Sequence, residues 1–194
     1  LSPSLFIAAA LTLGLTAVNT AWAVGDVAVV KLRTDCTGVN DCFNNISGLN
    51  DWLVTRQPSA TKRTLVDIGS GSFSDATLSL TCSGGPTGYV SFKGAGRDVT
   101  TISTIAFNNC TSISVQDLQV ASNTNSVAWT GGGGSNWTNV GITSNGGKAW
   151  YGIVGSGGCA RHNFFSVTMA VTAFPQGSGI NNGCGSMWLW GSEV

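Results

Sequence analysis

The sequence has few charged residues, and this scarcity excludes whole classes of partner. Charged side chains make up 9% of the 194 residues, and nine basic residues balance nine acidic ones. Without an excess of positive charge the chain lacks the basic field that attracts nucleic acid, so we expect no nucleic-acid partner. Because 42% of the residues are hydrophobic, the low charge does not indicate disorder.

Groups that bind metals are also scarce. His162 is the only histidine, the six cysteines include no CxxC pair, and the acidic residues are scattered singly. A structural zinc site needs clustered Cys or His, and calcium needs several oxygen ligands. We therefore predict no metal site and no cofactor.

A hydrophobic run at the start of the chain is too short for a comfortable membrane span. It covers residues 5–18 and is followed by Ala-Trp-Ala at 21–23, a pattern typical of a signal-peptidase site. We predict a signal peptide over 1–23, one domain over 24–194 with no membrane span in the mature chain, and a secreted or periplasmic location. The charged start of a signal peptide is missing and the chain ends just after an apolar strand pattern. We therefore expect the domain to be truncated at its C-terminus.

Short apolar segments recur between turns rich in Gly, Asn and Ser. One column of paired apolar residues, with steps of 22 and 27 residues, contains Leu118 and Val120, Val140 and Ile142, and Val167 and Met169. A second column, with steps of 26 and 27 residues, contains Val127, Ile153 and Ile180. Two columns that advance nearly in register predict coils stacked along one axis.

The predicted fold class is all-β, a right-handed parallel β-helix in which strands stack about 4.8 Å apart. One helical pattern precedes the coils, with Asn40 or Asp41 as its cap and apolar residues at Phe43, Ile46, Leu49 and Leu53. Because the open end of a solenoid exposes strand edges and core, we predict that this short N-terminal helix covers that end.

The cysteine spacing agrees with the repeat. Cysteines of an exported chain favour disulfides over metal ligands. Two gaps, of 28 and 25 residues, are each about one coil long, which would place the paired cysteines on adjacent rungs within disulfide distance. The predicted pairs are Cys36–Cys42, Cys82–Cys110 and Cys159–Cys184.

Three segments resemble the opening coils of pectin-lyase-like β-helix proteins. They are TLVDIGSGSFS at 64–74, VSFKGAGRDVTTIS at 90–103 and NNCTSISVQDLQV at 108–120. Pectinesterases and related carbohydrate-active proteins are similar in having a capping helix, a strand leading to G-x-[FY], a G-x-G-x-x-x-T-x-I turn and then repeated strands. The resemblance implies the β-helix fold and a polysaccharide or cell-surface glycan as partner. The superfamily also contains non-catalytic surface proteins. The resemblance therefore does not show whether this chain is an enzyme or a non-catalytic scaffold.

The turn Gly94-Ala95-Gly96 within this resemblance is not a phosphate-binding loop. Such a loop needs a helix directly after its glycines, whose free N–H groups face the anion. Here residues 99–102 continue as Val-Thr-Thr-Ile, a strand pattern. We predict a sharp corner between stacked strands.

Residues that would identify one particular enzyme are not visible in the sequence. The candidates for catalysis are Asp98 and Asp117, which lie somewhat less than one coil apart, and the adjacent Arg161 and His162. Glycoside hydrolysis needs two carboxyl groups facing one bond, and an Arg–His pair can transfer a proton or bind an anion. We favour the simpler interpretation that the two Asp residues cap corners and that Arg161 and His162 lie in a solvated turn.

The tryptophans of MWLWG are the candidate substrate-binding residues. Trp188 and Trp190 alternate, so both side chains point to one side of the strand. An aromatic surface can stack on sugar rings, but an interior stack or cover by further coils explains the pattern equally well. Trp137 and Phe164, 27 residues apart, are predicted to lie inside.

The function predicted from these observations is a secreted β-helix protein that binds or processes a pectin-like or other acidic polysaccharide. If it is an enzyme, it is a polysaccharide lyase, a glycoside hydrolase or a carbohydrate esterase. The alternative is a non-catalytic surface, adhesin or structural β-helix. The sequence leaves the oligomeric state open.

Overall fold

The computed structural model of the chain describes residues 26–36, 40–82, 88–145, 151–156, 161–171, 178–182 and 186–192. The predicted signal peptide lies outside these residues. Cys159 and Cys184 also lie outside them, so their disulfide stays a prediction.

Within the described residues the chain has one helix and sixteen strands. The helix is α1 (Ile46–Arg56). The strands are β1 (Asp26–Leu32), β2 (Cys42–Phe43), β3 (Lys62–Ile68), β4 (Gly71–Phe73), β5 (Leu78–Thr81), β6 (Val90–Gly94), β7 (Thr100–Ile102), β8 (Ile105–Asn108), β9 (Ile113–Ser122), β10 (Val127–Thr130), β11 (Ser135–Ser144), β12 (Tyr151–Ser156), β13 (Arg161–Phe165), β14 (Thr168–Val171), β15 (Ser178–Asn182) and β16 (Ser186–Trp190). No helix in this part of the chain is long and apolar enough to cross a membrane.

The strands form two parallel sheets along one axis. Sheet A has eleven strands in the order β16-β13-β11-β9-β6-β3-β1-β2, with β4, β7 and β14 attached at its side, and sheet B has the order β15-β12-β10-β8-β5. In the coils that begin with β3, β6, β9, β11 and β13, the chain crosses sheet A, turns a corner, continues as a second segment of sheet A and then crosses sheet B. This arrangement confirms the predicted parallel β-helix.

The strand register confirms both apolar columns read from the sequence. Ile142 lies opposite Val120 on one side and Met169 on the other, and Val140 lies opposite Leu118. In sheet B the pairs are Val127 with Ile153 and Ile153 with Ile180. A slip of one residue would turn every apolar side chain of a strand toward solvent, so burial fixes this register.

Aromatic side chains fill much of the interior. Trp137 and Phe164 lie opposite each other in adjacent strands, are each 1% exposed, and stack with ring centroids 6.0 Å apart. This confirms the interior position predicted for them. Phe107 extends the stack between Phe92 and Trp129, with centroid distances of 5.6 and 5.0 Å.

The helix covers the first edge of sheet B, as predicted. Its apolar residues Ile46, Leu49 and Leu53 are fully buried. Asn50 accepts a hydrogen bond of 3.0 Å from the Ser79 backbone N–H and donates one of 2.8 Å to the Thr77 carbonyl. Backbone groups at the start of β5, the edge strand of the sheet, are therefore satisfied by the helix.

The predicted start of the helix was wrong. Asn45 is the N-cap, and its side-chain oxygen accepts a hydrogen bond of 2.8 Å from the Gly48 N–H. Phe43 lies in β2 instead of the helix, because residues 42–43 pair with β1 and Cys42 is held by its disulfide to Cys36. These constraints keep the chain extended until Asn45.

Two of the predicted disulfides are present. Cys36 is bonded to Cys42 and Cys82 to Cys110, with Cα atoms 5.5 and 5.0 Å apart. The second bond joins adjacent coils, as the coil spacing predicted.

Gly94-Ala95-Gly96 forms a corner between β6 and β7, as predicted. The buried Thr100 hydroxyl accepts a hydrogen bond of 3.0 Å from the Ala95 N–H and donates one of 2.9 Å to the carbonyl of Gly69, in the preceding coil. A Cβ atom on Gly94 would collide with the Asp117 carbonyl oxygen in the following coil. The glycine is therefore needed for close packing of the coils.

Candidate functional site

Side chains that point away from the core of sheet A form a continuous surface, which we call the outer face. Successive residues of a strand point to opposite sides, and the parallel register stacks equivalent residues into columns along the axis. The central column contains Leu65, Ser91, Ser114, Asn136, Asn163 and Trp188. The column beside it contains Asp67, Lys93, Gln116, Thr138, Phe165 and Trp190.

One end of the outer face carries three exposed aromatic side chains, which we call the aromatic cluster. Phe165, Trp188 and Trp190 are 40%, 46% and 51% exposed. The rings of Trp188 and Trp190 have centroids 6.0 Å apart and lie 13° from parallel, while those of Phe165 and Trp190 are 6.1 Å apart and 12° from parallel. The alternation of MWLWG correctly indicated that Trp188 and Trp190 point to the same side of the strand. Phe165 belongs to the aromatic cluster because it lies opposite Trp190 in the adjacent strand.

Arg161 lies on the same side of the sheet as the aromatic cluster. Its guanidinium carbon is 5.2 Å from the centroid of the Trp188 ring, within the range of a cation–π contact. Among the described residues Arg161 has no carboxylate within ion-pair distance. The cluster therefore presents aromatic surfaces beside a cation.

Amide and hydroxyl side chains occupy the middle of the outer face. Asn163 donates a side-chain hydrogen bond of 2.9 Å to Asn136 in the preceding coil. Gln116 approaches the Ser91 hydroxyl in the same way, at 3.4 Å. These groups keep further donors and acceptors for a ligand, because an amide can make several hydrogen bonds.

The outer face is more basic than the chain as a whole. Its basic side chains are Lys31, Arg63, Lys93 and Arg161, all exposed. Its acidic side chain within the described strands is Asp67, which lies 2.6 Å from Arg33 in an ion pair. The outer face therefore carries an excess of basic side chains, spread over several coils, and Arg161 is the one that contacts the aromatic cluster.

His162 does not act together with Arg161 on the surface. It points into the core, is 3% exposed, and its Nδ1 lies 2.7 Å from the Ser135 hydroxyl. Its ring also contacts Trp129, with centroids 4.7 Å apart. Burial lowers the pKa of His162 to about 4, so the ring is neutral near neutral pH. The contact between His162 and Ser135 could have been predicted from the sequence, because the two residues lie one coil apart.

The candidate carboxylates Asp98 and Asp117 have separate partners. Asp98 is exposed and its carboxylate lies 3.8 Å from Arg97 Nε. Asp117 sits at a corner within β9 and accepts a hydrogen bond of 2.8 Å from Asn139 in the next coil. Within the described residues no three His, Cys, Asp or Glu side chains are grouped as metal ligands would be.

A cleft of about 370 Å³ opens on the outer face, several coils from the aromatic cluster. Its lining residues are Val27, Arg63, Thr64, Leu65, Tyr89, Val90, Ser91, Ser112 and Ser114. The guanidinium carbon of Arg63 is 5.9 Å from the centroid of the Tyr89 ring. The sequence pattern did not indicate either residue as part of a site, although they lie one coil apart.

Comparison with known proteins identifies similar solved structures. The crystal structure of a pectin methylesterase mutant in complex with a hexasaccharide has a TM-score of 0.56 and 16% identity, covering 80% of this chain and 54% of that chain. Pectin methylesterase PemA from Erwinia chrysanthemi has a TM-score of 0.54 and 16% identity, covering 81% of this chain and 54% of its own. This chain thus spans about half the length of either enzyme. No protein-family model and no curated protein matches the sequence.

Proposed function

Taking the pectate-lyase-like parallel β-helix fold of this chain as the starting point, we propose that the protein binds an acidic polysaccharide along the outer face of sheet A. The observation that carries the proposal is the exposed aromatic cluster with Arg161 beside it. The location that fits this function is extracellular or periplasmic, and the two disulfides agree with such an oxidising compartment.

The aromatic cluster suits the apolar C–H faces of sugar rings. The ring of Trp190 lies nearly parallel to those of both neighbours, so the cluster offers several similarly oriented surfaces. Exposure of three large aromatic side chains costs free energy in water, and such a patch commonly marks a binding site.

The amides and hydroxyls of the central column suit a polymer that runs parallel to the helix axis. Ser114, Asn136 and Asn163 follow one another on adjacent strands, about 4.8 Å apart. Each strand can therefore offer a hydrogen-bonding group to a successive part of one extended chain.

The charge of the outer face favours an acidic polymer. Arg161 and Lys93 are exposed and belong to none of the ion pairs among the described residues. A guanidinium group binds carboxylates with paired hydrogen bonds. Two similar structures are pectin methylesterases, one of them in complex with a hexasaccharide, and this also supports a polysaccharide ligand.

Processing of the polysaccharide is the second candidate function. Asp98 and Asp117 have separate partners, so Arg161, which lies beside the aromatic cluster, is its candidate residue. The outer side of sheet B is less suited to this chemistry, because its described outward residues are small and uncharged: Ser79, Thr81, Ala106, Asn108, Ala128 and Thr130. Binding without turnover, as in a surface or adhesin module, needs only the outer face of sheet A.

Isothermal titration calorimetry with polygalacturonate, highly methyl-esterified pectin and neutral dextran tests the proposal. We expect polygalacturonate to bind most tightly and its affinity to fall with added salt. Absence of binding to all three polymers, or equal affinity for all three, would contradict it. Release of methanol or of new chain ends during incubation would identify turnover in addition to binding.

A further inference from the structure

The cleft at Arg63 combines three kinds of sugar-binding group. Arg63 supplies a positive charge, Tyr89 an aromatic ring and phenol, and Ser91, Ser112 and Ser114 supply hydroxyls. Leu65 contributes an apolar surface to the same cleft. Within the described residues Arg63 has no carboxylate at ion-pair distance, and the ion pairs there use Arg33, Arg56 and Arg97 instead.

We infer that this cleft holds a carboxylate-bearing sugar of the same polysaccharide chain whose other part stacks on the aromatic cluster. The inference rests on the proposed function and adds to it a second subsite and a minimum ligand length. Arg63 is the residue that recognises the carboxylate, since its planar guanidinium can donate two parallel hydrogen bonds.

The register connects the two subsites without a gap. Ser91, which lines the cleft, lies opposite Ser114, and the central column continues through Asn136 and Asn163 to Trp188. Arg63 lies on β3, one strand before Ser91, so the five steps between strands from Arg63 to Trp188 correspond to roughly 24 Å along the axis. A ligand must extend over about that distance to occupy both ends.

This geometry makes affinity depend on chain length. A short oligosaccharide reaches one subsite at a time and binds with the affinity of that subsite alone. Once a chain reaches both, binding at the first end holds the second end at a high effective concentration. We expect a steep rise in affinity at the length that first spans the face, and a shallow dependence above it.

Titration with oligogalacturonates from the dimer to the decamer tests this inference in wild type and in Arg63→Ala. In wild type the dissociation constant should drop steeply at one length. In Arg63→Ala the longest oligomers should bind about tenfold more weakly, as expected for loss of a charged hydrogen-bonded pair, and the steep drop should disappear.

Lys62→Ala is the matched control. Lys62 precedes Arg63 in β3, is also exposed and has the same charge, but successive strand residues point to opposite sides. Its removal should leave the length dependence intact. Arg63→Lys retains the charge without the planar fork and should recover only part of the affinity. Circular dichroism and the melting temperature establish that each variant is folded.

Different results would contradict the second subsite and the proposed function. If Arg63→Ala and Lys62→Ala bind long oligomers equally well, or if wild-type affinity does not rise steeply with length, the cleft is not a subsite while binding at the outer face stands. If wild type binds neither the oligomers nor the polymer, the proposed function itself is wrong.

Discussion

The side-chain amide of Asn139 donates a hydrogen bond of 2.8 Å to Asp117 Oδ1 in the preceding coil, and both residues adopt a left-handed backbone conformation. Ser166 and Gly191 occur at the corresponding corners of the next coils, with φ values of 52° and 54°. Left-handed conformations are costly for most side chains and are tolerated best by Gly, Asn and Asp. Asp117 therefore helps to hold the corners of adjacent coils together.

Replacing Asn139 by alanine should destabilise the coil stack. Asn139→Ala loses the bond to the carboxylate and places a less suitable residue at positive φ, for an expected loss of about 2 kcal/mol in the free energy of unfolding. Asn139→Gly loses only the hydrogen bond and should cost about 1 kcal/mol. Urea denaturation measures both, and an alanine variant as stable as wild type would show that the corner does not depend on Asn139.

The stability of the protein should fall between neutral and mildly acidic pH because of His162. Its pKa is lowered by burial from 6.5 to about 4, so below pH 6.5 the unfolded chain binds a proton that the folded chain does not. The resulting loss in the free energy of unfolding is absent well above pH 6.5 and grows as the pH falls. It is complete near pH 4, where it reaches up to ~3 kcal/mol.

His162→Gln separates this effect from other titrations. Urea denaturation at pH 7 and pH 4.5 should show a smaller loss of stability in the variant than in wild type. The carboxyl of Asp26 does not interfere, because its hydrogen bond to Arg56 keeps its pKa below the ordinary 3.8. The same loss in both proteins would mean that His162 is not the group responsible.

The two observed disulfides should differ in their effect on stability. Cys82–Cys110 closes 28 residues of sequence and Cys36–Cys42 closes 6. Because a longer closed loop restricts the unfolded chain more, we expect losses of roughly 3.5 and 2 kcal/mol when each pair is replaced by alanine. Denaturant unfolding of the two double variants measures both losses. A larger loss on removal of Cys36–Cys42 than of Cys82–Cys110 would contradict the prediction.

The pairing of Cys159 with Cys184 remains a prediction that peptide mapping can test. Digestion without reducing agent should give one linked peptide containing both residues, because their spacing in the sequence is close to one coil. A peptide linking Cys82 to Cys159 would contradict both this pair and the coil register.

The coil register could be predicted from the sequence because burial repeats at nearly constant intervals. Leu118, Val140 and Val167 are each separated by about one coil of sequence, which placed them in one column. The observed pairing of the strands around Ile142 agrees with this column. The start of the helix could not be predicted in the same way. Asn40, Asp41 and Asn45 are all suitable caps, and only the pairing of β2 with β1 decides among them.

The candidate site was harder to predict than the fold. The alternation of Trp188 and Trp190 indicated a shared side, but their exposure depends on which strands cover them. Arg161 and His162 are neighbours in sequence and lie on opposite sides of β13, which a correct strand boundary would have indicated. Arg63 and Tyr89 come together only after the early coils are aligned, because the Gly- and Pro-containing stretch before Tyr89 interrupts the apolar pattern.

The most direct measurement is the dissociation constant for polygalacturonate of Trp188→Ala compared with Trp52→Ala. Trp52 is a half-buried tryptophan of α1 at the capped end, where its Nε1 donates a hydrogen bond of 3.2 Å to Asp41. Binding at the outer face predicts that Trp188→Ala weakens affinity about tenfold or more while Trp52→Ala remains near wild type. An unchanged affinity in folded Trp188→Ala would contradict binding at this face.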